Sequence, residues 1–332
     1  MFVTALMGSP RKEGNTAFLV KNLLKALAER GAETAVLESE SLRVNPCRSC
    51  GFCEKKGVCT QKDDMETAVF PLLKKAELLV IGTPVYFYNV PGPMKTVFDR
   101  CQTLWARKYL LHLHDPLERW RKGVLLAQGA TSGKNLFDGI SLTVSYTLDA
   151  VGAELSESLC YREIENIGDM AGHPAVRDEI EAAAERITAS YNGLSRVLVL
   201  SRADAFYGPI VAAYVNRFSG GSLIAHHAGL QPAAAVEKYA VMQLERRGLD
   251  IKFQSPRGLN DVLSGNSYDT VISIDNTRPG REWAGPDQAV IDLPIREGNQ
   301  NREAEIDAIE NRVDSLVREL QSRRGGAEGR GG

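Results

Sequence analysis

The chain has 332 residues, with 40 Lys and Arg against 42 Asp and Glu and a formal net charge of −2. Its 43% hydrophobic and 25% charged residues are the composition of a globular protein long enough for two ordinary cores. No run approaches the roughly 18 apolar residues of a membrane helix, and neither half carries a cationic excess (23 basic against 24 acidic up to residue 192, then 17 against 18), so membrane and nucleic acid are not expected partners.

Residues 2–7 are a short apolar run with no basic start and no small-residue cleavage site, so they read as a first strand, and a cytoplasmic location is expected. A loop from Gly8 to Thr16 follows, after which Ala17, Leu19, Leu23, Leu24 and Leu27 recur at helical spacing. The loop matches neither the Walker pattern nor the dinucleotide fingerprint. It does gather hydroxyls at Ser9 and Thr16, an amide at Asn15, a cation at Arg11 and the amides of a helix start, a set suited to a terminal phosphate monoester. The competing reading is an ordinary strand-to-helix connection capped by Asn15 or Thr16.

Residues 34–37 form a second strand, and 78–82 are a continuous apolar run of the kind buried on both faces of a parallel sheet. Next comes an aromatic and proline-rich segment, with Pro84, Val85, Tyr86 and Asn89, at the carboxyl edge where α/β sheets bind ligands. A planar heterocycle fits against Tyr86 with hydrogen bonds from Asn89; alternatively the rings only close the core. One helix is expected over 94–107. A strand over 123–128 then runs into Ala130, Thr131, Ser132 and Gly133, small residues that let backbone amides approach a ligand. A helix over 135–152, a strand over 153–162 and a helix over 174–191 complete a doubly wound, five-stranded parallel α/β sheet in a domain spanning 1–192.

Between the second and third strands, within the loop 46–60, Cys47, Cys50, Cys53 and Cys59 place four of the six cysteines in thirteen positions. Two-residue spacing brings thiols round to one side, with Gly51 and Gly57 supplying backbone freedom. Three readings stand: a [4Fe–4S] cluster on four thiolates, free or redox-active thiols, and zinc, for which the spacing is awkward.

The α/β pattern then restarts, giving a second, smaller domain over 193–322 with strands at 196–200, 222–227, 269–274 and 289–291, helices near 209–218, 235–247, 256–263 and 300–321, and a disordered glycine-rich tail over 323–332. His226 and His227 are adjacent in a strand and point to opposite faces, which argues against a shared metal.

The phosphate loop Gly8-Ser9-Pro10-Arg11 with Gly14-Asn15-Thr16, the segment from Thr83 through Asn89 to Lys95, and the cysteines before Asp63-Asp64-Met65 fall in one order. In this the first domain resembles the flavodoxin-like NADPH-dependent FMN reductases, and more narrowly the iron–sulfur flavoproteins. The resemblance implies FMN with its phosphate at Ser9, Arg11, Asn15 and Thr16, and its ring between the loop 86–89 and the loop 130–133. The second domain resembles low-molecular-weight tyrosine phosphatases and thioredoxin-coupled arsenate reductases. It departs from them at the chemistry: Ser201 stands where the nucleophilic cysteine is expected, Tyr207 where the arginine is, and Asp292-Leu293-Pro294 runs into Ile295-Arg296 without the acid. It is expected to be catalytically inactive, serving either residual oxyanion binding or docking and dimerisation.

The expected function is that of an FMN-dependent oxidoreductase. It would take electrons from NAD(P)H or a one-electron carrier, through the cluster where one is bound, and pass them to a quinone, a flavin or a protein electron carrier. A homo-oligomer is expected. The alternative is a redox sensor in which flavin or cluster state controls docking by the second domain.

Overall fold

A computed structural model of the chain describes residues 1–264, 267–275, 277, 289–295 and 302–328, the last six by backbone alone. The chain divides into two units, Met1–Asn192 and Gly193–Gly332.

The first unit is built on β1 (Phe2–Met7), β2 (Glu33–Glu38), β3 (Leu78–Pro84), β4 (Lys122–Gln128) and β5 (Glu154–Tyr161). They are paired in parallel in the order β2-β1-β3-β4-β5, the flavodoxin-like doubly wound order. Every residue of β1 and β3 is buried, which is why both read as unbroken apolar runs, whereas the edge strands β2 and β5 alternate toward solvent. Register places Met7 beside Gly82, Pro84 beside Gln128 and Gln128 beside Tyr161, so the loops leaving β1, β3 and β4 open on one edge. The helix Asn15–Glu29 lies directly on β3: a Cβ on Gly82 would stand 2.2 Å from the Val20 side chain.

At the opposite edge the carboxylate of Asp115 lies 2.9 Å from the Lys74 ammonium and 3.1 Å from the Arg121 guanidinium, all three buried. Where one helix is expected over 94–107 there are two, Gly92–Arg100 and Gln102–Tyr109. The break is at Cys101, whose N–H bonds back to both Val97 and Phe98 and tightens the turn.

The second unit carries β6 (Ser195–Ser201), β7 (Leu223–Gly229), β8 (Thr270–Ile274) and β9 (Ala289–Leu293), parallel in the order β7-β6-β8-β9. Its core joins Val197 and Val199 to Ile210 and Tyr214 of the helix Tyr207–Phe218, and to Ile306 and Val313 of the helix Arg302–Glu328. That last helix continues to Glu328 where an unstructured tail is expected from 323, because an established helical ladder adds residues cooperatively. Residues 329–332 and Arg296 lie outside the described residues.

Candidate functional site

The loop after β1 is fixed at both ends. Gly8 donates its N–H to the Gly82 carbonyl at 2.7 Å, and a Cβ there would meet the Met94 thioether at 2.9 Å. Within the loop, the Ser9 hydroxyl accepts from the Arg11 N–H at 3.2 Å. Among the described residues no side chain caps the helix Asn15–Glu29, and no acidic residue lies in its first turn, so its leading amides are open to an anion. Neither Asn15 nor Thr16 is the helix cap. Asn15 donates to the Asn166 carbonyl at 2.7 Å and accepts from the N–H groups of Gly168 and Met170, both at 3.2 Å. Its side chain therefore ties this loop to the segment beyond β5. Thr16 is buried and accepts from the Gln128 amide at 3.4 Å. The Arg11 guanidinium has no partner among the described residues.

Beyond β3 the chain makes a tight antiparallel turn, with Tyr86 and Asn89 exchanging backbone hydrogen bonds of 2.8 and 3.0 Å. Phe87 and Tyr88, at φ 48° and 59°, take the two left-handed positions where Asn and Gly are favoured. Tyr86 is 48% exposed, Tyr88 53%, and Phe87 fully exposed. The rings thus do not close the core. Pro84 is buried opposite Gln128, and Val85 donates to the Gln128 carbonyl at 2.9 Å. The Asn89 side chain ties the turn to the helix Asp138–Val151, donating to Thr143 at 3.2 Å, and accepts from the Val90 N–H at 2.8 Å.

The loop holding Ala130, Thr131, Ser132 and Gly133 meets this turn: the Tyr88 hydroxyl lies 3.3 Å from where a Cβ on Gly133 would be. Two residues that sequence reasoning passed over hold the pair of loops. Arg162 donates to the carbonyls of Gly133 and Lys134 and lies over the Phe137 ring. A Cβ on Gly139 would stand 2.4 Å from the Tyr88 carbonyl. The available signal was position, since Arg162 is the first residue past β5 on the ligand edge.

Cys47, Cys50, Cys53 and Cys59 all line one cavity of about 370 Å³, together with Arg48, Gln61 and Arg100. Ser49, Gly51 and Gly57 take left-handed backbone there, at φ 50°, 66° and 63°. The wall is pinned by Arg107, which donates to the Gly57 carbonyl at 3.1 Å, and by Arg100, which donates to the Cys59 sulfur at 3.4 Å. The Phe52 backbone N–H and the Thr60 hydroxyl draw the Cys50 thiol below its usual range, while burial pushes Cys53 up. Among the described residues no three His, Cys, Asp or Glu side chains converge as ligands of a single metal ion. Cys101 is buried and Cys160 half-buried, both apart from this cavity.

In the second unit Ser201 ends β6 and its hydroxyl accepts from the Asp204 N–H at 3.0 Å. Tyr207 turns to the closing helix and donates to Glu305 at 3.1 Å. The paired histidines have separate partners, His226 the Tyr268 hydroxyl at 3.1 Å and His227 the Asp204 carboxylate at 2.8 Å.

Residues 1–133 match the family described as NADPH-dependent FMN reductase. Among curated proteins, an iron–sulfur flavoprotein of Methanocaldococcus jannaschii is 38% identical over 104 residues, 31% of this chain and 53% of that protein. A second from the same organism is 39% identical over 130 residues, 39% of this chain and 62% of that protein. The chain thus spans between 53% and 62% of the length of these two relatives. Among solved structures, a thioredoxin-dependent arsenate reductase of Corynebacterium glutamicum aligns at 23% identity and a TM-score of 0.35, covering 46% of this chain and 78% of that one. The topology above rests on the strand order itself and not on that likeness.

Proposed function

We propose that this protein, whose residues 1–133 carry the sequence pattern of the NADPH-dependent FMN reductases, is an FMN-dependent oxidoreductase. It takes electrons from NAD(P)H or a one-electron carrier and passes them to a quinone, a flavin or a protein electron carrier. One observation carries the reading: the helix start at Asn15 and the neighbouring Arg11, neither of them capped or paired among the described residues, the exposed aromatic turn and the loop 130–133 all open on the same sheet edge.

The donor set fits FMN. Arg11, the Ser9 hydroxyl and the amides of Asn15 and Thr16 would hold the phosphate, with the Asn15 side chain keeping those amides in place. Tyr86 and Val85 with Pro84 would face the ring from one loop, and Ala130, Thr131, Ser132 and Gly133 from the other. Bound FMN supplies the hydride and electron chemistry, while the protein groups orient it and shield it from water.

Four thiols lining a single cavity fit a [4Fe–4S] cluster, whose cage spreads its four thiolates wider than one zinc ion does. Bound there, a cluster exchanges single electrons. As for self-association, Leu142 and Tyr146 are both exposed one helical turn apart on the helix Asp138–Val151, beside the aromatic turn, and this is the face on which we place pairing of two copies. Among the described residues no helix is long and apolar enough to cross a membrane.

Protein purified without oxygen is expected to carry or take up FMN stoichiometrically, to contain iron and acid-labile sulfide, and to oxidise many equivalents of NAD(P)H when given an acceptor. Rejection of added FMN by folded protein sinks the reading. A single reduction without turnover favours the sensor instead.

A further inference from the structure

The thiol cavity has on its wall one charge that solvent does not screen. Of the charged residues lining it, Arg48, Glu54 and Asp99 are exposed, whereas the Arg100 side chain is 1% exposed. Among the described residues Arg100 is therefore the buried charge of this wall, where the lower dielectric and the exclusion of salt make its field strongest. It comes from the end of the helix Gly92–Arg100, outside the loop that carries the thiols.

A guanidinium offers five N–H groups. The two terminal nitrogens of Arg100 make four bonds: Nη1 donates to the Asn45 carbonyl at 2.8 Å and to Asp63 Oδ2 at 2.6 Å, and Nη2 donates to Asp63 Oδ1 at 3.2 Å and to the Cys59 sulfur at 3.4 Å. One nitrogen thus joins the carboxylate to the sulfur. The fifth N–H, on Nε, is buried and has no acceptor among the described residues, an arrangement that costs free energy until an acceptor is supplied. Asp63 is itself held by the N–H groups of Asn45 and Met65, both at 3.2 Å, so the ion pair is anchored on the loop's flank.

We propose that Arg100 is the positioning residue that sets the reduction potential of a one-electron centre in this cavity, acting through the Cys59 sulfur. The inference rests on the reading that the four thiols hold a [4Fe–4S] cluster. Reduction of such a centre adds one negative charge that its thiolate sulfurs share, so an N–H bond and a buried cation at one of them favour the reduced form. Asp63 works in the other direction, because its carboxylate offsets part of the guanidinium charge. The pair is a potential setting with two halves of opposite sign, and the unpartnered Nε–H is a donor suited to a sulfide of the bound cluster.

The test is a redox titration of the full chain, reconstituted without oxygen with iron, sulfide and FMN and followed by electron paramagnetic resonance for the cluster and by absorbance for the flavin. Wild type, Arg100→Gln and Asp63→Asn would be compared at matched iron and sulfide content. Arg100→Gln is expected to lower the cluster midpoint by about 59 mV, a ten-fold shift in its one-electron equilibrium, and Asp63→Asn to raise it, with the flavin midpoint unmoved in both. Opposite signs separate the proposal from a structural role, since a loosened loop would move both variants the same way. Equal midpoints, or shifts of one sign, in folded and loaded variants overturn the proposal and leave the cluster and flavin readings standing. Should Arg100→Gln not take up iron, Asp63→Asn decides: a raised midpoint sustains the proposal, and an unchanged or lowered one overturns it. Wild type that binds FMN but retains no iron or sulfide overturns the cluster reading and this proposal together.

Discussion

The guanidinium of Arg100 is almost wholly buried and satisfies acceptors in the thiol loop and on both flanks of it. It donates to the Asn45 carbonyl at 2.8 Å, to both oxygens of Asp63 at 2.6 and 3.2 Å, and to the Cys59 sulfur. Burial alone would raise the Asp63 carboxyl; the hydrogen bonds from Arg100 and from the backbone of Asn45 and Met65 outweigh it and hold the group below its usual range. Arg100→Leu strands that carboxylate in the interior and should cost about 3–5 kcal/mol in urea unfolding, with Arg100→Lys retaining part of the loss. Folded variant should also show faster labelling of Cys59 by a thiol reagent. Nothing in the sequence announced this role. Arg100 ends a helix, where a cation usually faces water, and its partner Asp63 lies 37 positions away. Gly139 was hidden for the same reason, being defined by a backbone it approaches from another element. Gly139→Ala should displace the Tyr88 carbonyl and weaken FMN binding several-fold in a fluorescence titration, while the unfolding midpoint moves far less.

The turn Tyr86 to Asn89 is an element whose local preference and observed conformation disagree. Two aromatic residues occupy left-handed positions at about 1 kcal/mol each. Replacing Phe87-Tyr88 by Asn-Gly should raise the midpoint of thermal unfolding by a few degrees and weaken FMN binding about ten-fold, the two measurements moving in opposite directions. A variant with both improved would mean that the rings serve no ligand. Elsewhere the elements were legible where one physical pattern dominated. The buried strands β1, β3 and β4 announce themselves as apolar runs, and the helix Asn15–Glu29 through the spacing of its leucines. The kink at Cys101 was not legible, because it depends on two backbone acceptors competing for one N–H. Nor could the spacing of the thiols fix how they meet. It brings them to one cavity, but the distances between them depend on left-handed backbone at Ser49, Gly51 and Gly57.

At the scale of the whole first unit, the sheet edge opposite the candidate site is sealed by charge. Burial would raise the Asp115 carboxyl, but Arg121 and Lys74 override it and hold the group at about 2, against 3.8 for an ordinary aspartate. Its folded value is the lower one, so its stabilisation of about 2 kcal/mol is complete above pH 4 and fades as pH falls toward 2. Urea midpoints of wild type and Asp115→Asn should therefore differ most near pH 5 and draw together near pH 2. The alternation of elements made the α/β architecture readable, since each apolar run needs a covering helix, whereas this cluster was not, because Lys74 lies on the helix Phe70–Lys75, far in sequence from the connection before β4 that carries both Asp115 and Arg121. The same edge is closed a second time by Tyr191, whose hydroxyl reaches the carbonyls of Glu77 at 2.7 Å and Trp120 at 3.1 Å, the residues at which the chain enters β3 and β4. Because the two units divide one residue later, after Asn192, the seam between them is also a keystone. Any gene rearrangement that exchanged the second unit would have to cut downstream of Tyr191. A cut even a few codons earlier would hand on a flavodoxin-like sheet with its floor unlatched, so the position of this one phenol defines where the protein can be taken apart and reassembled.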